Sequence, residues 1–381
     1  MLKGAELNLL FSQVFGYSAS EFGHRIGFLV DVPSAASEDT QEWRERRVLA
    51  MQWARALAKT SFHACMVYAY ESVGRGNDFI HLVHNIPLSR EIPDLAGQLG
   101  MVGTEMVSVG EVYSRAEFWI ALTQVSVTGI LKVAAARYGF RAAALPGFSN
   151  AMLPSLSVDV SVVDLRTRKL AQALTRAQWA ELDFDVKGSR YSLTLDLRYR
   201  MGFASSGRFR HNGQTGTIPG GEAYIVPYEG EKAGIASMTE GILPVGHEGS
   251  VALCEVSENR IVCIDGGGAW VSLLRDAIAA EPACANVAEL GLGILGEWGI
   301  QPVGNALHDE LLGIHVALGR SEHIGGVTSP ADFKSPDRAQ HVDYIYHSAV
   351  MPEVRVVRGI LGVEGRSAVF YQNEHYVLDE L

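Results

Sequence analysis

"RYSLTLDLRYR", residues 190–200, alternates without a break: Leu193, Leu195 and Leu197 fall on one side, and Thr194, Asp196 and Arg198 on the other. A period of two is the signature of a strand with one buried face. It marks the place where the chain changes character. Before it, "RIGFLVDV" (25–32) and "FHACMVYAY" (62–70) read as short apolar strands. Between them, "TQEWRERRVLAMQWARALAKT" (40–60) sets Trp43, Val48, Met51, Trp53 and Leu57 near helical spacing with arginines between. Strand, helix, strand implies a parallel unit. "WIALTQVSVTGILKVAAARYGF" (119–140) has the length of a buried helix, and "TRKLAQALTRAQWAEL" (167–182) reads as an amphipathic one.

After about residue 186 the runs are mostly β. "GTIPGGEAYIVP" (216–227), "SVALCEVSENRIVCIDGGG" (250–268) and "VEGRSAVFYQNEHYVL" (363–378) carry glycine or asparagine turns, and "EVSENRIVCI" reads as a hairpin over Glu258 and Asn259. "VSLLRDAIAA" (271–280) is the clear helix of this half. The expected fold is therefore an α/β N-terminal domain over residues 1–185, then a mixed, mainly β (α+β) metal-binding domain over 186–381.

At 381 residues the chain is long enough for two or three domains. A formal charge of -11 and no Lys/Arg block argue against nucleic-acid or anionic-lipid partners. The first residues, "MLKGAELNLLFSQVFGY", lack the features of a secretory signal, and no long uncharged apolar span stands out, so a cytoplasmic protein away from the membrane is expected. The four cysteines show no CxxC spacing and read as buried thiols.

The chemistry concentrates after residue 215. Glu222, Glu289, His315, His341 and Asp343 are the side chains that hold hard or borderline divalent ions, and a pair of ions typically shares a bridging carboxylate. His341 and Asp343, two apart, point to one face of a strand. Glu310 and His315 share a strand face only if Gly313 introduces a bulge. Singly, each glutamate reads more readily as solvated and each histidine as a hydrogen-bonded core residue than as a ligand. "RFRHNGQTG" (208–216) reads as a basic hairpin tip and "DGGG" (265–268) as a turn.

"GTIPGGEAYIVP", "NVAELGLG" (286–293), "ELLGIHVALG" (310–319) and "QHVDYIYH" (340–347), in that order, resemble the thermophilic-type metallo-aminopeptidases, the aminopeptidase T and aminopeptidase S group of leucyl aminopeptidases. "FDVKGSRYSLTLDLRYR" (184–200) also looks like a strand of that family, so the resemblance spans roughly 160–360. It implies a dimeric enzyme that removes N-terminal residues from peptides with two divalent ions, Zn, Co, Mn or Mg. Glu222, Glu289, His315, His341 and Asp343 match the metal ligands. Glu289 would be the bridging carboxylate or the base, and Glu310 matches a further acidic position. Where the family has a lysine before the histidine strand this chain has Leu311, and where it has a catalytic tyrosine after that strand this chain has "GRSEHIGG" (319–326). Glu322 or His323 stands near that place, and His323 is the one able to donate a hydrogen bond. Two alternatives are a catalytically altered peptide-binding protein on the same scaffold, for example in peptide natural-product biosynthesis, and a dihydroxypyridine ring-cleaving dioxygenase with a two-histidine, one-carboxylate iron triad.

Overall fold

The computed structural model describes residues 2–60, 62–72, 74, 80–363 and 365–379. They form two compact units, Met1–Val162 with Gly207–Gly220, and Val163–Ser206 with Gly221–Leu381.

The first unit is built on a seven-stranded sheet. Its strands run in the order Thr215–Thr217, Arg141–Ala144, Phe118–Leu122, His24–Val32, Phe62–Glu71, Leu82–Ile86, Glu105–Ser108. The first five are parallel to their neighbours and the last two pair antiparallel. Strand His24–Val32 is buried from Ile26 onward, which is why it reads as a continuous apolar run and not as an alternation.

The helix Gln41–Leu57 is capped by Thr40, whose side chain accepts from the Trp43 N–H. It buries Trp43, Met51, Trp53 and Leu57 but leaves Val48 exposed. Two arginines take the inward places instead. Arg46 donates to the carbonyl of Phe148, and Arg47 pairs with Asp39 at 2.8 Å. The helix expected over 119–140 is in fact a buried strand, Phe118–Leu122, followed by a helix, Thr128–Tyr138. Thr123, whose hydroxyl donates to the Val125 carbonyl, and Ser126, whose hydroxyl accepts from the Thr128 N–H, break the run where the chain turns, because their polar groups compete for backbone hydrogen bonds.

Asp31, at the end of its strand, ties these parts together. Its carboxylate accepts from Gln124 N–H at 2.9 Å, Val125 N–H at 3.3 Å and Trp43 Nε1–H at 3.1 Å. Asp31→Ala strands the Gln124 and Val125 N–H groups, while Trp43 Nε1–H keeps the Asp31 backbone carbonyl at 3.1 Å, and is expected to cost about 3 kcal/mol. Urea unfolding of the purified variant checks this; a loss below about 1 kcal/mol would contradict the bracing role.

The second unit carries two antiparallel sheets. The larger has eight strands in the order Arg260–Asp265, Ser250–Ser257, Glu240–His247, Ser189–Asp196, Trp179–Val186, Val354–Val363, Arg366–Gln372, His375–Tyr376. Leu193, Leu195 and Leu197 are buried as the alternation predicts, but Asp196 is buried too, held by Arg198 and the Met238 N–H. The Glu258–Asn259 turn has positive φ at both residues, the backbone of a tight hairpin. The helix read over 167–182 is Val160–Arg176, and Trp179 already begins a strand. This helix and strand, on the N-terminal side of residue 185, group with the second unit, while 207–220 groups with the first. The loop "RFRHNGQTG" falls in that returning segment, where Arg208 and Phe209 bond to carbonyls of the helix Gly4–Phe15. Glu364, inside the run read over 363–378, lies outside the described residues.

The smaller sheet has five strands in the order His341–Ile345, Ile314–Gly319, Val287–Gly293, Glu222–Ile225, Phe203–Ser205. No helix among the described residues is long and apolar enough to cross a membrane.

Candidate metal centre

Four adjacent strands of the smaller sheet present the ionisable residues on one face. Register fixes the rows: Glu289 is opposite Ala317, which is opposite Asp343; Gly291 is opposite His315; Gly319 is opposite His341. Side chains two strands apart are separated by roughly 10 Å of backbone, so they meet only if the residue between them is small. Ala317 is that residue between Glu289 and Asp343, and Gly291 is the one beside His315. A Cβ on Gly291 would lie 1.9 Å from His315 Nε2, which shows that the imidazole occupies the space the glycine leaves. The ring thereby reaches across to the next strand, where Nε2 lies 3.0 Å from Glu222 Oε1. Glu222 is set at the head of its strand by Gly221, which has φ 144° and whose carbonyl accepts from Ile294 N–H at 2.8 Å.

The second half of the cluster forms around His341. Its Nε2 is 2.9 Å from Glu289 Oε2 and 3.3 Å from Asp343 Oδ1. Asp343 Oδ1 is also 4.0 Å from His315 Nε2. Both imidazoles turn Nδ1 to a backbone carbonyl, His315 to Gly313 at 3.3 Å and His341 to Arg320 at 2.7 Å. A carbonyl only accepts, so Nδ1 donates and each Nε2 faces the carboxylates, the outer-shell arrangement that orients histidine ligands.

Two sets of donor atoms lie within 4.8 Å of one another, Glu222/Glu289/His315 and Glu289/His341/Asp343. Glu289 belongs to both. His315 Nε2 and Asp343 Oδ1 are buried and complete no hydrogen bond of good geometry among the described residues, although Glu222 Oε1 and His341 Nε2 lie 3.0 and 3.3 Å from them. Buried polar atoms seldom remain unpaired, and a cation would satisfy both. The donor set of carboxylates and imidazoles fits borderline or hard divalent ions.

The protonation pattern describes the same demand. Burial pushes Glu289 up to about 7 against the opposing pull of His341, with Glu222 adding to the rise. Burial also lifts Glu310 well above the carboxylate range, helped by the charges of Glu222 and Asp343. For His315, burial disfavours the imidazolium, but Glu222, Asp343 and Glu289 outweigh it and push the ring up to about 10. His341 is pushed up to about 11 in the same contest, by Asp343 and Glu289. Asp343 is held low, because the two imidazoles overcome its burial. Protons on the imidazoles and glutamates thus balance a carboxylate cluster when no cation does so.

This has a testable sign. Unfolded histidines titrate near ~6.5 and glutamates near ~4.3. The folded values of His315, His341 and Glu289 are raised, so their stabilisation is complete below the unfolded values and is lost as pH rises through about 7, 10 and 11. Cation-free protein is therefore expected to lose thermal stability steadily between pH 6.5 and 10, and saturating divalent ion to flatten that slope. A melting temperature independent of pH in the chelated protein would refute the cluster's protonation.

Glu310 is not on the histidine strand. It opens a turn, Glu310–Leu312, and the strand begins at Ile314, so Glu310 and His315 do not share a strand face through a bulge at Gly313. Gly293 makes room for this turn: a Cβ there would lie 2.2 Å from the Glu310 carbonyl oxygen. His323 lies edge-on to His341, ring centroids 5.1 Å apart, and burial with the neighbouring His341 and Arg320 charges lowers its pKa. Glu322 turns to Arg320, whose Nε donates to both its oxygens at 2.7 and 2.8 Å. The arginine holds Glu322 ionised and neutralises it as a source of repulsion. Two residues escaped the sequence reading. Arg320, two before Glu322, was legible as an alternating charge pair, and Tyr224, two after Glu222, was legible as a neighbour on the same strand face.

No protein-family model matches the chain, and no curated protein matches it. Among solved structures, the chain is similar to 2,5-dihydroxypyridine dioxygenase from Pseudomonas putida, with a TM-score of 0.56 and 13% identity over 99% of this chain and 98% of that one. It is also similar to wild-type AmpT from Thermus thermophilus, with a TM-score of 0.53 and 12% identity over 98% of this chain and 99% of that one. At such identities the likeness is one of fold.

Proposed function

We propose that the smaller sheet of the second unit holds two divalent cations and that the protein hydrolyses the N-terminal peptide bond of peptides. The observation that carries this reading is Glu289, a buried carboxylate common to two donor triads, placed as a bridging ligand is placed. Glu222 and His315 complete one triad, His341 and Asp343 the other. The fold shared with AmpT and the four ordered sequence words support the same reading.

Divalent cations in this cradle would lower the pKa of a water molecule and polarise a carbonyl. The chain's own groups supply the rest. With the positive charge of bound cations offsetting the burial and carboxylate neighbours that raise its proton affinity, Glu310 would be free to take a proton from the attacking water and deliver it to the departing nitrogen as the C–N bond breaks. The acidic cluster attracts the free ammonium group of the peptide. His323, beside His341, is near enough to the cluster to contact the substrate.

A second reading has its own support. The two unpaired buried atoms belong to His315 and Asp343, and with His341 these make a two-histidine, one-carboxylate set on the fold also shared with the dioxygenase. Glu222 and Glu289 weigh against it, because two further buried carboxylates beside one ferrous ion exceed its charge. A peptide-binding protein on the same scaffold would keep the cation cradle and lose turnover. Metal analysis with an amino-acid anilide assay separates the three. About two divalent ions per chain with turnover supports the aminopeptidase. One iron with oxygen uptake on a dihydroxypyridine supports the dioxygenase, and peptide binding without turnover supports the binder.

A further inference from the structure

Tyr224 stands on the ligand face without a task in the reading above. It follows Glu222 by two along the strand Glu222–Ile225, so the two side chains leave the same face of the sheet. In register it is opposite Gly291, the residue whose missing side chain admits the His315 imidazole. On its other side it is opposite Phe203, and the two rings stack with centroids 5.5 Å apart and planes 26° from parallel. Phe203 is in turn close to the loop that carries His323, since a Cβ on Gly325 would lie 3.3 Å from Phe203 Cε2. Tyr224 is half-buried, and no hydrogen bond of its hydroxyl is made to any described residue.

A phenol fixed by stacking beside a carboxylate cluster, and bonded to no described residue, is an O–H donor available to a ligand oxygen. We propose that Tyr224 is a catalytic residue that donates a hydrogen bond to the carbonyl oxygen of the bound substrate as water adds to the carbonyl carbon, with Phe203 as the positioning residue that holds its ring. No proton is transferred. The O–H bond stays intact, and the hydrogen bond strengthens as negative charge gathers on the oxygen, which is the property required of an oxyanion donor. Tyrosine does this where His323 does less well: the imidazole is turned edge-on to His341, whereas Tyr224 is on the strand that carries Glu222.

The proposal rests on the hydrolase reading, and the test keeps the two apart. Full-length protein and its Y224F variant are each loaded with Zn2+ and compared in metal content, melting temperature, turnover of leucine anilide, and affinity for a dipeptide phosphinate, whose tetrahedral oxygen mimics the oxyanion. Metal content and melting temperature are expected to match. The expected loss in kcat is on the order of 10²-fold with little change in KM, and the phosphinate should bind at least tenfold more weakly to the variant. Equal kcat and equal phosphinate affinity in the two proteins would overturn the role of Tyr224, as would failure of both proteins to bind the phosphinate. If neither protein cleaves the anilide, the hydrolase reading fails. A phosphinate affinity still dependent on the hydroxyl would then uphold the donor alone.

Discussion

On the proposed two-cation reading, Glu289→Gln is expected to abolish binding of both divalent ions, not one, and to reduce turnover by more than the ~10–100-fold that loss of an outer-shell partner costs. The expectation follows from sharing. Glu289 is the common member of the two donor sets, so the amide leaves each with two ligands, and an amide cannot bridge two cations as a carboxylate does. The same change acts in the opposite direction on the cation-free fold. A carboxylate raised to about 7 by burial is a burden on the folded state once ionised, so the chelated variant should be at least as stable as the parent at pH 8. The pairing of lost metal with unreduced cation-free stability distinguishes a ligand from a residue that merely fills space. Metal analysis after gel filtration and melting curves in chelator check both halves. Retention of about two ions by the variant would eliminate the bridging assignment.

Gly291→Ala is the second large effect, and it adds one methyl group. Gly291 has ordinary strand backbone, so alanine is conformationally acceptable there, and only space is at issue. The new Cβ would lie 1.9 Å from His315 Nε2 and 2.1 Å from Cε1, well inside contact distance. Either the imidazole leaves the Glu222 side of the cluster or the strands part. The expected cost is about 1–3 kcal/mol in the cation-loaded protein, with loss of the ion that the proposal assigns to Glu222, Glu289 and His315. Gly267→Ala is the control. It is also a glycine without positive φ, but an added Cβ meets nothing within 4 Å, and metal content and stability should be unchanged. Full metal content in Gly291→Ala would mean that His315 is not a ligand.

These two residues mark the boundary between what was readable in the chain and what was not. Alternation at 190–200 identified a half-buried strand because side chains leave a strand on opposite faces in turn, a property of local geometry alone. The hairpin at Glu258–Asn259 was readable for the same kind of reason, since strand-like runs flank a two-residue turn whose asparagine favours positive φ. The identities of the candidate ligands were readable because few side chain types hold divalent ions.

Local rules failed where a partner from elsewhere in the chain set the outcome. The segment 119–140 has helix-like length and apolarity, but the parallel sheet claims Phe118–Leu122 as a buried strand. Val48 is apolar yet exposed while Arg46 is enclosed, because the Phe148 carbonyl and the Gln124 side chain accept its protons. Glu322 read as a repulsive charge, and Arg320 cancels it.

By itself the sequence determined the half-buried alternating strands, where the period changes and which residues are able to bind a cation. Only the tertiary structure decided that they meet. Cross-strand register, which the sequence does not number, puts Gly291 beside His315 and Ala317 between Glu289 and Asp343, and small residues at those crossings let side chains from four strands of one sheet reach a common centre.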